Sequence, residues 1–169
     1  GCYRQDWVAP GWNDAHQGKR CAEQAVEFIR DHVGRHPGKP FFIYHAEVAP
    51  HWPHVPPKDI LGQPIEGRGG WDDDVPERCD MIVQVDAVLG AFMDCLDELG
   101  LADNTILILT SDNGADTGLY EPIRGKKGQL YEGGHRIPFI ARWPGHIPAD
   151  ASSEAIFSLH DMAATFAAV

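Results

Sequence analysis

Thr105-Ile-Leu-Ile-Leu-Thr110 runs directly into Ser111-Asp112-Asn113-Gly114. The first part, with its β-branched and leucine bias, reads as a short buried strand. The Asp-Asn-Gly that follows at once reads as a tight turn, because these residues tolerate the backbone angles a turn demands. A carboxylate and an amide carbonyl are therefore presented side by side where a strand ends, and in open α/β sheets ligands bind along that edge. Both groups are hard oxygen donors, which suit Ca²⁺ or Mg²⁺ better than zinc. Taken alone, the stretch is also compatible with an ordinary turn.

The neighbouring segments decide between those readings. Downstream comes Arg124-Gly125-Lys126-Lys127-Gly128-Gln129-Leu130-Tyr131-Glu132-Gly133-Gly134-His135-Arg136-Ile137-Pro138. Upstream lie Phe41-Phe42-Ile43-Tyr44 and Ala49-Pro50-His51-Trp52-Pro53. With Ser111-Asp112-Asn113-Gly114 these resemble the sulfatase family, whose members carry S-D-N-G, then R-G-x-K-G, then Y/W-E-G-G-x-R-x-P. The family's F-F-L-Y segment followed by A-P-H-x-P matches the upstream pair. No single tetrapeptide is specific, but the ordered blocks together are, and the resemblance runs from about Ala22 to the end of the chain.

The bulk properties set wide bounds. The 169 residues suffice for one domain with a substantial core. Fourteen basic residues against 25 acidic ones give a net charge of −11 with no basic stripe, which argues against a nucleic-acid partner. An acidic body still permits an anionic substrate, since local cations and a metal set the potential within one cleft. The four cysteines, Cys2, Cys21, Cys79 and Cys95, have no metal-like spacing, and the last two fall within an apolar helical pattern that favours buried free thiols. No apolar run is long enough to span a bilayer, and the first residues do not form a signal peptide.

Along the chain, residues 1–19 lack periodicity and read as loop. Ala22, Ala25, Val26, Ile29 and Val33 recur at helical spacing over 20–33, with Gly34 placed to end the helix. Residues 41–48 read as a buried strand. The proline- and glycine-rich stretch 49–70 reads as a rigid loop of a length that usually serves a site. A long helix is predicted over 75–99, with Pro76 in its first turn, Gly100 as its stop and a stripe of Met81, Ile82, Val85, Leu89, Phe92, Met93, Leu96 and Leu99. A strand over 137–141 and a helix over 157–169 complete an α/β class, with a mostly parallel or mixed sheet sandwiched by helices.

If the strands before His51 and Asp112 run parallel, their following loops share the carboxyl edge of the sheet and converge on one cleft. His51 is then a candidate proton donor to a leaving oxygen, against the ordinary alternative of a solvent-facing loop histidine. Lys127 is a candidate cation for a developing negative charge, against a solvated lysine on a loop. Arg124 and Arg136 flank the glycine turn and read as braces for it. Glu132-Gly133-Gly134 reads as backbone conformation, since glycines permit close approach. His45, His51 and His54 match no zinc motif, and His160-Asp161 reads as a surface or packing pair.

The resemblance implies more. It places metal ligation on Asp112 and Asn113, with Ca²⁺ as the ion and Mg²⁺ the second choice. It places sulfate binding and leaving-group assistance on His51 and Lys127, the R-G-x-K-G register selecting Lys127 over Lys126. It implies an alkaline-phosphatase-like fold and hydrolysis of an aryl or carbohydrate sulfate ester by a formylglycine nucleophile. The formylglycine motif C/S-x-P/A-x-R is missing after all four cysteines and every serine, and the family's Asp-Asp pair is not placed here. Residues 1–169 are thus expected to be the middle portion of a catalytic domain, inactive by themselves and binding Ca²⁺ poorly. A sulfated small molecule or glycan is the expected partner, the 54–71 loop the expected specificity segment, and a periplasmic, secreted or lysosomal setting follows from the resemblance. The runner-up functions are a phosphatase or phosphodiesterase of the same superfamily, or a non-catalytic remnant acting as a binding module.

Overall fold

The computed structural model describes residues 10–69, 75–116 and 122–169, and the chain divides into two units, Gly1–Thr105 and Ile106–Val169. Cys2 with residues 1–9 of the amino-terminal loop reading, and the end of the 54–71 loop, lie outside the described residues.

The first unit is organised by two long helices, α1 (Gln17–Arg35) and α2 (Pro76–Glu98). Helix α1 begins earlier than its apolar spacing predicts, following a 3-10 turn over Asp14–His16, and continues through Gly34 to Arg35. A glycine within a helix weakens it by only about 1 kcal/mol, so Gly34 alone does not stop the chain. Helix α2 opens with Pro76 at its amino end and closes at Gly100, whose φ is +67°. There the Leu101 N–H donates to Leu96 O at 2.8 Å and the Gly100 N–H to Asp97 O at 3.1 Å, the paired bonds of a Schellman stop. Arg30 of α1 pairs with Glu98 of α2 at 2.5 Å.

The face that α2 buries is rotated from the predicted stripe. Met81, Gln84, Val88, Phe92 and Cys95 are buried, Leu96 remains so, and Ile82 is 41% exposed. The helix is apolar on more than one side, and such helices belong in the interior of a larger body. Between the helices packs a small hairpin, β1 (Asp59–Ile60) and β2 (Gln63–Pro64), paired antiparallel. Its turn residues Leu61 and Gly62 both have positive φ, 47° and 88°, as a type I′ turn requires. Ile60 and Ile65 are fully buried, each contributing about 2 kcal/mol by transfer from water. Cys79 and Cys95 are buried thiols outside any disulfide, and burial pushes the Cys95 thiol up.

Residues 41–48 depart from expectation. They carry no strand ladder; the chain is irregular there, and exposed Phe42 and Tyr44 alternate with half-buried Phe41, Ile43 and His45. The apolar alternation is that of a strand, but a strand exists only through a hydrogen-bonded neighbour.

In the second unit β3 (Leu107–Thr110) pairs antiparallel with β4 (Phe139–Arg142), Leu107 opposite Arg142 and Thr110 opposite Phe139. The Thr110 hydroxyl donates to Pro138 O at 2.9 Å. The described pairs of both units are therefore antiparallel, and the sheet component of this α/β chain is carried by short pairs. A single helical turn, α3 (Glu132–His135), lies within the connection, where the sequence suggested only glycine-governed backbone. Helix α4 (Asp161–Ala168) starts later than predicted. Its entry is set by Ser158 and Asp161: the Ser158 N–H donates to the Asp161 carboxylate at 2.8 Å, and the Ser158 hydroxyl accepts from the His160 N–H at 3.3 Å.

Candidate functional site

Because β3 and β4 run antiparallel, the end of one lies beside the start of the other. The described parts of the connection, 111–116 and 122–138, therefore leave and rejoin the pair at one edge. They contain Asp112, Asn113 and Lys127, and the structure brings their loops together by main-chain contacts. The Gly114 N–H donates to Gly134 O at 3.0 Å, Gly133 N–H to Arg124 O at 2.8 Å, and Lys127 N–H to Ala115 O at 2.8 Å. These bonds interlock the Asp112-Asn113 turn, the basic loop and helical turn α3.

Glycine is required at this knot because there is no room for a side chain. A Cβ on Gly114 would fall 1.9 Å from Gly133 O, one on Gly133 would fall 2.0 Å from Gly125 O, and one on Gly134 would fall 2.0 Å from Gln129 O. Arg124 and Arg136 brace the periphery. The Arg124 guanidinium lies 3.6 Å from the Tyr131 ring centroid and donates to the Tyr131 hydroxyl at 2.6 Å. Arg136 lies 3.6 Å from the Glu132 carboxylate, one helical turn away.

Within the turn, the Ser111 hydroxyl donates to Asn113 O at 3.0 Å and Asn113 Nδ2 donates to Gly114 O at 2.9 Å. With its NH₂ engaged in the turn, the side-chain oxygen of Asn113 is its remaining acceptor. Asp112 is exposed beside it. Two hard oxygens on a preformed turn fit a Ca²⁺ or Mg²⁺ ion, and further oxygens must come from other segments, since Ca²⁺ takes about six to eight. Lys127 is exposed and forms no ion pair with the described residues. Its neighbour Lys126 is set differently, its N–H bound to the Gln129 side chain at 3.1 Å.

His51 belongs to the first unit. It ends a turn in which its N–H donates to Val48 O at 2.8 Å, between cis peptide bonds at Ala49-Pro50 and Trp52-Pro53. Its Nδ1 lies 2.6 Å from Trp52 O. A carbonyl can only accept, so Nδ1 carries the proton and Nε2 is the basic nitrogen of the neutral ring. The side chain is exposed at the loop tip.

Two carboxylates escaped the sequence reading, the buried Asp80 and the half-buried Glu47. Asp80, on α2, accepts from the Gly67 N–H at 2.7 Å and the Gly69 N–H at 2.6 Å, pinning the segment that follows the hairpin. Glu47 accepts on one oxygen from Val48 N–H at 3.0 Å, Ala49 N–H at 3.2 Å and Gln84 Nε2 at 2.9 Å. Its other oxygen lies 3.3 Å from His45 Nε2. Burial by itself would raise the Glu47 carboxyl, but the hydrogen bonds from His45, the Ala49 N–H and Gln84 outweigh it and hold the group below the ordinary glutamate range. The legible signal was an acid inside an apolar run, since buried charges persist only when paired. His45 also packs edge-on against Phe92, ring centroids 5.1 Å apart, which places it in the interior of the unit.

Comparison with known proteins bears on these residues. The sulfatase family pattern matches residues 3–169. The chain is 33% identical to an N-acetylgalactosamine-6-O-sulfatase of Bacteroides thetaiotaomicron, over all of this chain and 34% of that protein. It is 36% identical to arylsulfatase A of Bos taurus, over 85% of this chain and 28% of that one. A solved structure from work on the metabolism of multiple glycosaminoglycans by Bacteroides thetaiotaomicron superposes with a TM-score of 0.74 at 35% identity, covering 93% of this chain and 33% of that one. The chain thus spans about a third or less of the length of the relatives it matches.

Proposed function

Since the chain belongs to the sulfatase family, with its alkaline-phosphatase-like α/β fold, we propose that it is the middle portion of a catalytic domain that hydrolyses sulfate esters. The observation that carries this reading is the glycine knot, which ties Asp112 and Asn113 to Lys127 through the Lys127–Ala115 and Gly114–Gly134 bonds. Oxygen ligands and a cation held on one rigid support suit an anionic ester of a strong acid. The partial coverage of its relatives, the many-sided apolar character of α2 and the exposure of Phe42 and Tyr44 agree with a larger domain around this chain.

In this reading Asp112 and Asn113 hold a Ca²⁺ ion together with oxygens from outside the chain. When bound, that ion polarises sulfate oxygens as a Lewis acid. The Lys127 ammonium neutralises charge on the sulfate and on the departing oxygen. His51, carrying its Nδ1 proton to Trp52 O, binds the ester through Nε2 and, when protonated there, passes that proton to the leaving alcohol. The nucleophile, a formylglycine by family resemblance, is supplied by a segment whose motif this sequence does not contain. The names of the relatives support a sulfated sugar such as N-acetylgalactosamine 6-sulfate as the substrate class, with an aryl sulfate as a workable reporter.

The test is turnover of a chromogenic aryl sulfate and of a galactosamine 6-sulfate by the full-length protein. Lys127→Ala is expected to lower kcat about a hundredfold or more, and Lys126→Ala less than threefold, by analogy with loss of one oxyanion donor. Equal losses at both lysines would place the register one residue off. A full-length protein that hydrolyses the corresponding phosphate esters in preference would favour the phosphatase reading, and one inert toward both would favour the binding module.

A further inference from the structure

We propose that Glu47 is a positioning residue for His51, its carboxylate clamping the turn that presents the imidazole to substrate. This rests on the reading of His51 as a group that meets the sulfate ester. Glu47 Oε1 receives the N–H groups of Val48 and Ala49, the first two residues of the turn. The Val48 carbonyl in turn receives the His51 N–H at 2.8 Å. The carboxylate and the histidine are therefore linked through one peptide unit.

The clamp is anchored on both helices. Gln84 of α2 donates to the same oxygen at 2.9 Å and is 4% exposed. On α1, Gly18 is buried against the pair: a Cβ there would lie 2.0 Å from Gln84 Nε2 and 2.9 Å from Glu47 Oε1. The absence of a side chain at Gly18 thus lets α1 close over the carboxylate. His45 holds the second oxygen, and its ring is packed on Phe92. Glu47 is consequently fixed to the body of the unit, while its main-chain partners Val48 and Ala49 lead directly into the exposed Pro50 and His51. A carboxylate accepts several hydrogen bonds at once, which an apolar residue or a single donor group at this place could not do. The physical effect is to restrict where the imidazole stands, and misplacement of a reacting group by about 1 Å can lower turnover about a hundredfold.

The experiment is a double-mutant cycle on kcat and KM in the full-length enzyme, with melting points to confirm folding. Glu47→Ala is expected to lower kcat about tenfold while KM moves less than threefold, and His51→Ala to lower kcat about a hundredfold. Glu47→Ala in the His51→Ala background should add almost nothing, because the clamp then has no group to position. Gln84→Ala, which keeps the carboxylate and removes only its tie to α2, should give a smaller loss that also vanishes in that background. It takes the place of Glu47→Ala should the latter not fold. Losses that multiply in the double variant, or a Glu47→Ala enzyme with unchanged kcat, would overturn the clamp while leaving His51 in its role. An unchanged kcat for His51→Ala would overturn the reading of His51 and the clamp with it.

Discussion

In the first unit Glu47 gathers the N–H groups of Val48 and Ala49 and the Gln84 amide onto one carboxylate oxygen; in the second, Gly114, Gly133 and Lys127 bond directly to other main-chain groups. Both arrangements hold an exposed loop that bears a candidate functional side chain. The side-chain clamp depends on the chemistry of one group, so removing or protonating that group releases it. The glycine knot depends on volume, because backbones approach so closely that a methyl group has no place. One support is therefore sensitive to pH and to polar substitution, the other to any added bulk.

The largest effect is expected where bulk enters the knot. Gly133→Ala sets a Cβ 2.0 Å from Gly125 O and 3.1 Å from Arg124 O, both main-chain atoms that cannot rotate away. Denaturant unfolding of the full-length protein should lose about 3 kcal/mol or more. A neutral result would mean that the second unit does not depend on volume. On the other side of the comparison, Asp80→Ala strands the Gly67 and Gly69 N–H groups, and Gly69 is buried. A loss of about 2 kcal/mol should follow, and Asp80→Asn, keeping one acceptor, should fall between.

The pH dependence sharpens the contrast further. Glu47 has a folded pKa lower than its unfolded value, so the stability it contributes is complete above the ordinary glutamate range. That contribution fades as pH falls through the lower, folded value. Glu47→Gln should flatten this part of the acid limb in melts taken between neutral and strongly acidic pH. Superimposable acid limbs would show that the clamp is not ionic. The smallest effect is a gain. At Gly90, in α2, a methyl group would meet nothing within 4 Å, so Gly90→Ala should stabilise by about 0.5–1 kcal/mol. A destabilised Gly90→Ala protein would show that glycines outside the knot also resist bulk.

The helices were readable because apolar spacing survives wherever one face is buried, and Pro76 and Gly100 mark the ends of α2 through local backbone chemistry. Register was less so: Ile82 is exposed and Gln84 buried, because what covers α2 is set by partners distant in sequence. Residues 41–48 show the same limit in another form, since the alternation is written in the chain but the ladder needs a neighbour. Within the candidate site, the sequence named Asp112, Asn113 and Lys127 and placed glycines around them. It did not reveal that Gly114, Gly133 and Gly134 interlock, since closeness of backbones leaves no side-chain signal. Glu47 and Asp80 were missed because an acid in a helix or loop normally faces solvent, and only the fold supplies the N–H groups that bind these two carboxylates.

The knot also governs how the loop meets a protease. Arg124, Lys126 and Lys127 are exposed basic residues and make an apparent target for a trypsin-like enzyme. Such enzymes require several residues to peel away and extend. Here the Arg124 carbonyl, the Lys126 carbonyl and the Lys127 N–H are engaged with Gly133, Gln129 and Ala115. Cleavage must await local opening, and amide exchange at Gly114, Lys127 and Gly133 must await the same event. A loop rich in glycine and lysine would thus behave, in digestion and in exchange, as part of the folded interior.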